Sequence, residues 1–183
     1  GLNVTALKKN INSETAIKLS NQPCWLVSRL QDLEASHFKD IDIIIHLASA
    51  GVSPKAANWE ELFKTNVVDS LKLIKEANKA GCKRIVVSGS AFEYGYSADL
   101  FDNIPVDAPL IPLNNYGISK VAGFYRLFSF AISNPIELYY PRIFSVYGMG
   151  QFHKNFWPSL YYAAKTNSDF KMTSGNQIRD FIS

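Results

Sequence analysis

The feature that most narrows the fold is a short β-branched run, Asp40-Ile41-Asp42-Ile43-Ile44-Ile45-His46-Leu47-Ala48. It is nearly continuous in apolar residues, whereas a strand with one wet face alternates. Such a run reads as a strand of a parallel sheet buried on both faces. A second one, Arg84-Ile85-Val86-Val87-Ser88, follows. Between them, residues 59–80 carry Leu62, Phe63, Val67, Leu71 and Ile74 at helical spacing, and Gly81 is placed as the cap. Parallel neighbours need a long crossover, usually a helix. The order strand, helix, strand therefore predicts an α/β fold with a doubly wound parallel sheet.

The rest of the chain extends this pattern. Residues 4–7 and the stretch from Trp25 read as short strands, with a weak helix or loop over 12–19 and Pro23 as punctuation. Residues 51–54 read as a turn. A Pro-, Asp- and Asn-rich loop covers 94–114, and a helix carrying Tyr116 and Lys120 runs to about Ser133. A strand is expected over 136–144, a helix over 156–166 and the start of a strand at 178–183. Ligands in such sheets bind beyond the carboxyl ends of the strands. That places attention on residues 46–49, 88–90 and 144–145.

Composition removes several function classes. The 183 residues are 47% apolar and 19% charged, with a net charge of +3 spread along the chain. No basic stripe of the kind a nucleic-acid surface needs is present. Cys24 and Cys82 make neither a ligand cluster nor a disulfide framework. His37, His46 and His153 have no metal-binding spacing, and His46 reads as a packed core histidine. The longest apolar run is too short to span a bilayer. The expectation is a protein of the reducing cytoplasm without leader or membrane segment.

Tyr116 and Lys120, in Asn115-Tyr116-Gly117-Ile118-Ser119-Lys120, share a helix face. An ammonium beside a phenol favours the phenolate, and a phenol tuned this way can exchange a proton with a sugar hydroxyl or carbonyl near neutral pH.

Six motifs in order carry a resemblance. They are His46-Leu47-Ala48-Ser49; Asn66-Val67; Ser88-Gly89-Ser90-Ala91-Phe92-Glu93-Tyr94-Gly95; Tyr116-x-x-x-Lys120; Arg142-Ile143-Phe144-Ser145-Val146-Tyr147-Gly148; and Gly175-Asn176-Gln177-Ile178-Arg179-Asp180-Phe181. Together they resemble the extended short-chain dehydrogenase/reductases that modify nucleotide sugars, the NAD-dependent epimerase/dehydratase family. The resemblance implies a Rossmann-like domain over 1–148 and the beginning of a substrate-binding region over 149–183. It implies Ser90, Tyr116 and Lys120 as the catalytic residues: Ser90 orients the reacting sugar oxygen, Tyr116 is the acid/base, and Lys120 binds the nicotinamide ribose and favours the phenolate. Asp32 would contact the adenine, and Leu33 would bind the cofactor beside it. Ala48, Asn66, Ser88 and Phe144 would line the cofactor, Asn66 mainly as a structural residue. Ser145 and Arg179 would meet the substrate, Arg179 gripping the diphosphate. Outside the resemblance, Asp32 reads as a helix N-cap, Ser90 as a loop cap and Arg179 as a surface partner of Asp180.

The departures carry information too. The family's opening strand and Gly-rich turn, which hold the pyrophosphate at a helix N-terminus, have no counterpart in this sequence. Residues 2–7 match the second strand, so the chain is expected to be an internal fragment or a truncated relative. Lys8 stands where an acid would select NAD, and its charge favours NADP. Ala91 and Phe92 replace the Asp-Glu pair of 4,6-dehydratases and cannot transfer a proton. Glu93 comes one place late, where an extended backbone would turn it away. Dehydration is therefore disfavoured, leaving a 4-keto reductase or an epimerase acting on a nucleotide sugar, with the cofactor carrying the hydride. A non-catalytic nucleotide- or protein-binding member of the fold is the alternative. The resemblance further implies a homodimer through a four-helix bundle, built from residues 59–80 and 117–133.

Overall fold

The computed structural model describes residues 1–52 and 57–182. The expected turn at 51–54 ends on Ser53 and Pro54, which lie outside the described residues. All paired strands run parallel. Strand β1 (Thr5–Lys8) pairs with β2 (Cys24–Val27). Strands β3 (Ile43–His46), β4 (Arg84–Val87) and β6 (Glu137–Tyr139) form one piece with β4 in the middle, Ile44 opposite Ile85 and Ile85 opposite Leu138. Two-residue pairs continue the sheet's line: β5 (Gly89–Ser90) with β7 (Arg142–Ile143), and β8 (Ser145–Val146) with β9 (Phe181–Ile182). Pro141 has no N–H to give a ladder, and the strand expected over 136–144 breaks there into β6 and β7.

Among the described residues only one face of β3 is covered. Ile44 and His46 are buried, while Ile45 is 66% exposed and Ile43 and Leu47 are exposed too. The buried face meets Leu73, Ile74 and Ala77 of α2 (Ser70–Lys79), Ile85 and Val87 of β4, and Leu127 of α3 (Asn115–Ile132).

The long helix expected over 59–80 is interrupted. A short α1 (Trp59–Phe63), capped by the Asn58 side chain on Glu61 N–H, passes into a π-helical turn (Lys64–Asp69) and then into α2. The turn inserts extra residues into the helical count, so the buried face changes. Behind Leu62 it buries Asn66, Asp69 and Ser70, not the apolar stripe through Val67. Single π turns inside α-helices recur at functional sites. Gly81, at φ +94°, follows the capping residue Ala80, as the sequence predicts for a helix end. Residues 12–19 form no helix. The last helix, α4 (Phe156–Thr166), holds Pro158 in its first turn, where the missing N–H has no helical acceptor to lose.

Candidate functional site

The carboxyl ends of β3 and β4 lie side by side, with His46 opposite Val87, so the chain leaves the sheet at both ends together. Ser88 N–H donates to the His46 carbonyl at 3.1 Å. The chain then changes partner: Gly89 N–H reaches the Pro141 carbonyl at 2.8 Å and β5 pairs with β7. Ser90 ends this strand and caps a 3-10 turn (Ala91–Glu93), its Oγ accepting from Phe92 N–H at 3.3 Å. The loop-capping role expected from local chemistry is therefore real, and it fixes where the hydroxyl sits.

Helix α3 docks on that turn. Asn114 caps it by accepting Gly117 N–H at 2.8 Å. A Cβ on Gly117 would stand 2.5 Å from the Phe92 carbonyl oxygen, so only glycine allows this approach. The contact brings the Tyr116 ring edge-on to Phe92, with centroids 6.0 Å apart. Gly51, at φ +77°, lies so close to the same ring that a Cβ would meet Tyr116 Cδ2 at 3.1 Å. One turn along, Lys120 is 6% exposed and its Nζ donates to the Ser88 carbonyl at 2.6 Å. Burial draws the Lys120 proton affinity down, and the negative charge of Glu93 opposes the drop. The structure thus brings the turn holding Ser90, the Ser88 carbonyl, Tyr116 and Lys120 together.

Asn66 holds the opposite wall. Its Oδ1 accepts from Ala50 N–H at 2.8 Å and Ser49 Oγ at 2.9 Å, and its Nδ2 donates to Ser119 Oγ at 2.9 Å and the Ala50 carbonyl at 3.2 Å. Both amide donors are used, so the side chain clamps the loop after β3 onto α3. Beneath it, Ser70 Oγ gives its proton to the Thr65 carbonyl at 2.9 Å, so His46 Nε2, 2.8 Å from Ser70 Oγ, carries the hydrogen of that contact. Burial, then the charge of Lys120, lowers the His46 pKa to about 4. His46 is the neutral core histidine that the sequence implies.

Other expected residues lie apart from this cluster. Lys8 ends β1, with Nζ donating to the Ile11 carbonyl at 2.8 Å and lying 5.1 Å from the Trp25 ring. Asp32 closes a 3-10 turn (Leu30–Asp32) and caps no helix, since Arg29 holds the N-cap place there. Leu33 is buried in the core, which leaves only its backbone for a ligand. Ala48 is exposed just past β3, and Phe144 sits 6.4 Å from the Tyr94 ring. Strands β8 and β9 bring Ser145 beside the Arg179 segment, Ser145 N–H donating to the Asp180 carbonyl at 3.2 Å. Arg179 itself is exposed and donates to Gln177 Oε1 at 3.1 and 2.8 Å, not to Asp180.

Glu93 requires a correction. The backbone there is a 3-10 turn, not extended, and the carboxylate is fully buried. It accepts from Ser90 N–H at 2.7 Å and from Arg142 Nε at 3.1 Å. Sequence reasoning missed this pair and Tyr140, whose hydroxyl also reaches Glu93 at 3.2 Å. One signal was present: Ser90-Ala91-Phe92-Glu93 has the capping-box spacing, in which the fourth residue reaches back to the cap N–H. Among the described residues there is no group of His, Cys, Asp or Glu that could hold a metal, and no helix long and apolar enough to cross a membrane.

The family model described as NAD dependent epimerase/dehydratase family matches residues 3–183. A UDP-glucose 4-epimerase of Azospirillum brasilense is 31% identical over 84 residues, which is 44% of this chain and 23% of that protein. Another, of Cyamopsis tetragonoloba, is 34% identical over 100 residues, 49% of this chain and 27% of that protein. Among solved structures, MoeE5 in complex with UDP-glucuronic acid and NAD is 27% identical, with a TM-score of 0.80 over 98% of this chain and 59% of that one. The NAD dependent NDP-hexosamine 5,6-dehydratase TunA is 25% identical, with a TM-score of 0.84 over 97% of this chain and 58% of that one. The aligned stretches span about a quarter of the length of these curated relatives. With the parallel sheet, the strand-end cluster and a family match over nearly every residue, the chain belongs to the NAD-dependent epimerase/dehydratase family.

Proposed function

We propose that the protein is an NAD(P)-dependent nucleotide-sugar oxidoreductase, an epimerase or a 4-keto reductase, with Ser90, Tyr116 and Lys120 as its working residues. The observation that carries this reading is Lys120. A buried ammonium has one hydrogen bond from the described residues, to Ser88 O, which leaves two of its three donors for a ligand. It lies one helical turn from a half-buried tyrosine, at the carboxyl edge of a parallel sheet. Those spare donors suit the hydroxyls of a ribose, so the residues present fit a dinucleotide.

The nicotinamide, when bound, supplies hydride acceptance and return. Lys120 would hold its ribose. Tyr116 would take the proton from the sugar hydroxyl or give it to the carbonyl, and Ser90 Oγ would hydrogen-bond the same oxygen. Phe92, 54% exposed beside Tyr116, gives that end of the cluster an apolar wall with no acid. Glu93 is consumed by its own hydrogen bonds. Both points support epimerisation or reduction over 4,6-dehydration. The curated relatives above, both UDP-glucose 4-epimerases, support the nucleotide-sugar class.

Lys8 supports a preference for NADP from its place at the end of β1, although a 2′-phosphate must draw the ammonium from the Ile11 carbonyl. Leu33 through its backbone, with Asp32, Ala48, Ser88 and Phe144, completes the proposed cofactor side. Ser145, together with Arg179 from a region beginning near residue 149, forms the proposed substrate side. The exposed apolar residues Val68 on the π turn and Tyr125, Phe128 and Ile132 on α3 support pairing of two copies through these helices.

The test is turnover of UDP-sugars by the full-length protein, with NADH and NADPH titrated by fluorescence. Tyr116→Phe should lose roughly 10²- to 10⁴-fold in turnover with dinucleotide affinity kept. An active Phe variant would sink the assignment.

A further inference from the structure

Glu93 is a buried acid that the proposed chemistry leaves without a task. Its carboxylate is met by the backbone N–H of Ser90 at 2.7 Å, the Tyr140 hydroxyl at 3.2 Å and the Arg142 guanidinium at 3.1 Å. The Tyr140 hydroxyl is equally 3.2 Å from the Lys120 carbonyl oxygen, so the cluster touches both the Ser90 turn and the Lys120 helix. Burial, then the charge of Glu93, pushes the Tyr140 phenol far above its ordinary range and keeps it a donor. Gly89 makes the room: a Cβ there would stand 2.5 Å from the Tyr140 ring and 2.9 Å from Glu93 Oε1. Arg142 is sandwiched in turn, its guanidinium carbon 4.7 Å from the centre of the Phe124 ring and 5.3 Å from that of Tyr94.

A buried ion pair is a costly means of holding a turn, because apolar residues of similar volume stabilise as well or better. Its location gives it another use. The titratable groups gathered around Lys120 and its neighbours are Glu93 on the 3-10 turn, Arg142 on β7, Tyr140 after β6, His46 on β3 and Tyr116 on the Lys120 helix. His46, with a pKa of about 4, is neutral at working pH. Arg142 is spent on Glu93. Glu93 is the acid of the group, and its charge opposes the effect of burial on Lys120.

We propose that Glu93 is a positioning residue: its carboxylate fixes the turn that presents Ser90 and, through the Tyr140 hydroxyl that it shares with the Lys120 carbonyl, sets a negative charge beside the Lys120 turn. This rests on the Ser-Tyr-Lys reading above.

The experiment follows Lys120 directly, by NMR titration of lysine labelled at the side-chain carbon and nitrogen, in the full-length protein. In Glu93→Gln the Lys120 transition should move to lower pH, because the anion that opposes the effect of burial is gone. The alkaline limb of kcat should move with it, and Glu93→Asp should bring both back toward the parent. A folded Glu93→Gln whose Lys120 titrates as in the parent overturns the proposal. If that variant does not fold, Glu93→Gln with Arg142→Met removes the buried pair as a unit; the Lys120 transition should still move to lower pH, by less because a cation leaves with the anion, and an unmoved Lys120 in the folded double variant overturns the proposal. Tyr116→Phe separates the two readings. Full turnover in that variant sinks the Ser-Tyr-Lys assignment, while lost turnover with an unmoved Lys120 in Glu93→Gln sinks only the role of Glu93.

Discussion

Acid should destabilise this protein through His46 before the carboxylates begin to protonate. The imidazole is held neutral under α2, donating to Ser70, with a pKa of about 4 against 6.5 when unfolded. The folded value is the lower one, so between these limits the unfolded chain binds more protons. Stability therefore rises with pH through this window and is lost as pH falls below 6.5. The full displacement corresponds to about 3 kcal/mol, at 1.36 kcal/mol per unit. At pH 5 roughly 2 kcal/mol of it is already gone, a large share of a marginal total of about 5–15 kcal/mol. Urea unfolding at pH 7 and pH 5, on the parent and on His46→Gln, measures the effect. The glutamine amide can still donate to Ser70 but has no proton to gain. The parent should lose about 2 kcal/mol more than the variant between the two pH values. Parallel losses would refute the argument and place the buried proton elsewhere.

Three further outcomes follow from the packing. Asn66→Ala strips the Ala50 N–H and carbonyl of their partner and should cost about 2–3 kcal/mol in urea melts, with dinucleotide affinity falling as the loop after β3 loosens; unchanged affinity would separate that loop from the cofactor. Gly117→Ala forces the Phe92 carbonyl away and should destabilise by about 1–3 kcal/mol despite the better helix propensity of alanine, with turnover falling further than the melting temperature accounts for. Leu127→Ala, under the sheet and away from the cluster, should cost about 2–5 kcal/mol and leave the KM of the remaining folded enzyme unchanged; a raised KM would show that the core and the site are coupled.

How much of this was legible in the residues follows from the range over which each signal acts. The helix carrying Tyr116 and Lys120, the Gly81 helix end and the strands around Ile44 and Ile85 rest on local patterns, and they appear where those patterns put them. The break at Pro141 is equally local, since a residue without an N–H cannot serve a ladder, yet the β-prone residues on both sides of it predict one strand over 136–144. The π turn at Lys64–Asp69 was not legible. An inserted residue in a helix leaves apolar spacing almost intact, and what stabilises it are the partners of Asn66 and Ser70 in other segments. Glu93 shows the same limit at the site. Its capping-box spacing with Ser90 was in the sequence, but Arg142 and Tyr140, 49 and 47 residues away, are what keep a carboxylate in the interior.

By itself the sequence determined the parallel α/β class, the motifs that mark the strand ends, and the tyrosine–lysine face, because each depends on neighbours within a few residues. Only the tertiary structure decided which polar groups share a buried space. The free energy of a buried carboxylate, imidazole or ammonium is set by the partners that replace its water, and those partners come from strands and turns far apart along the chain.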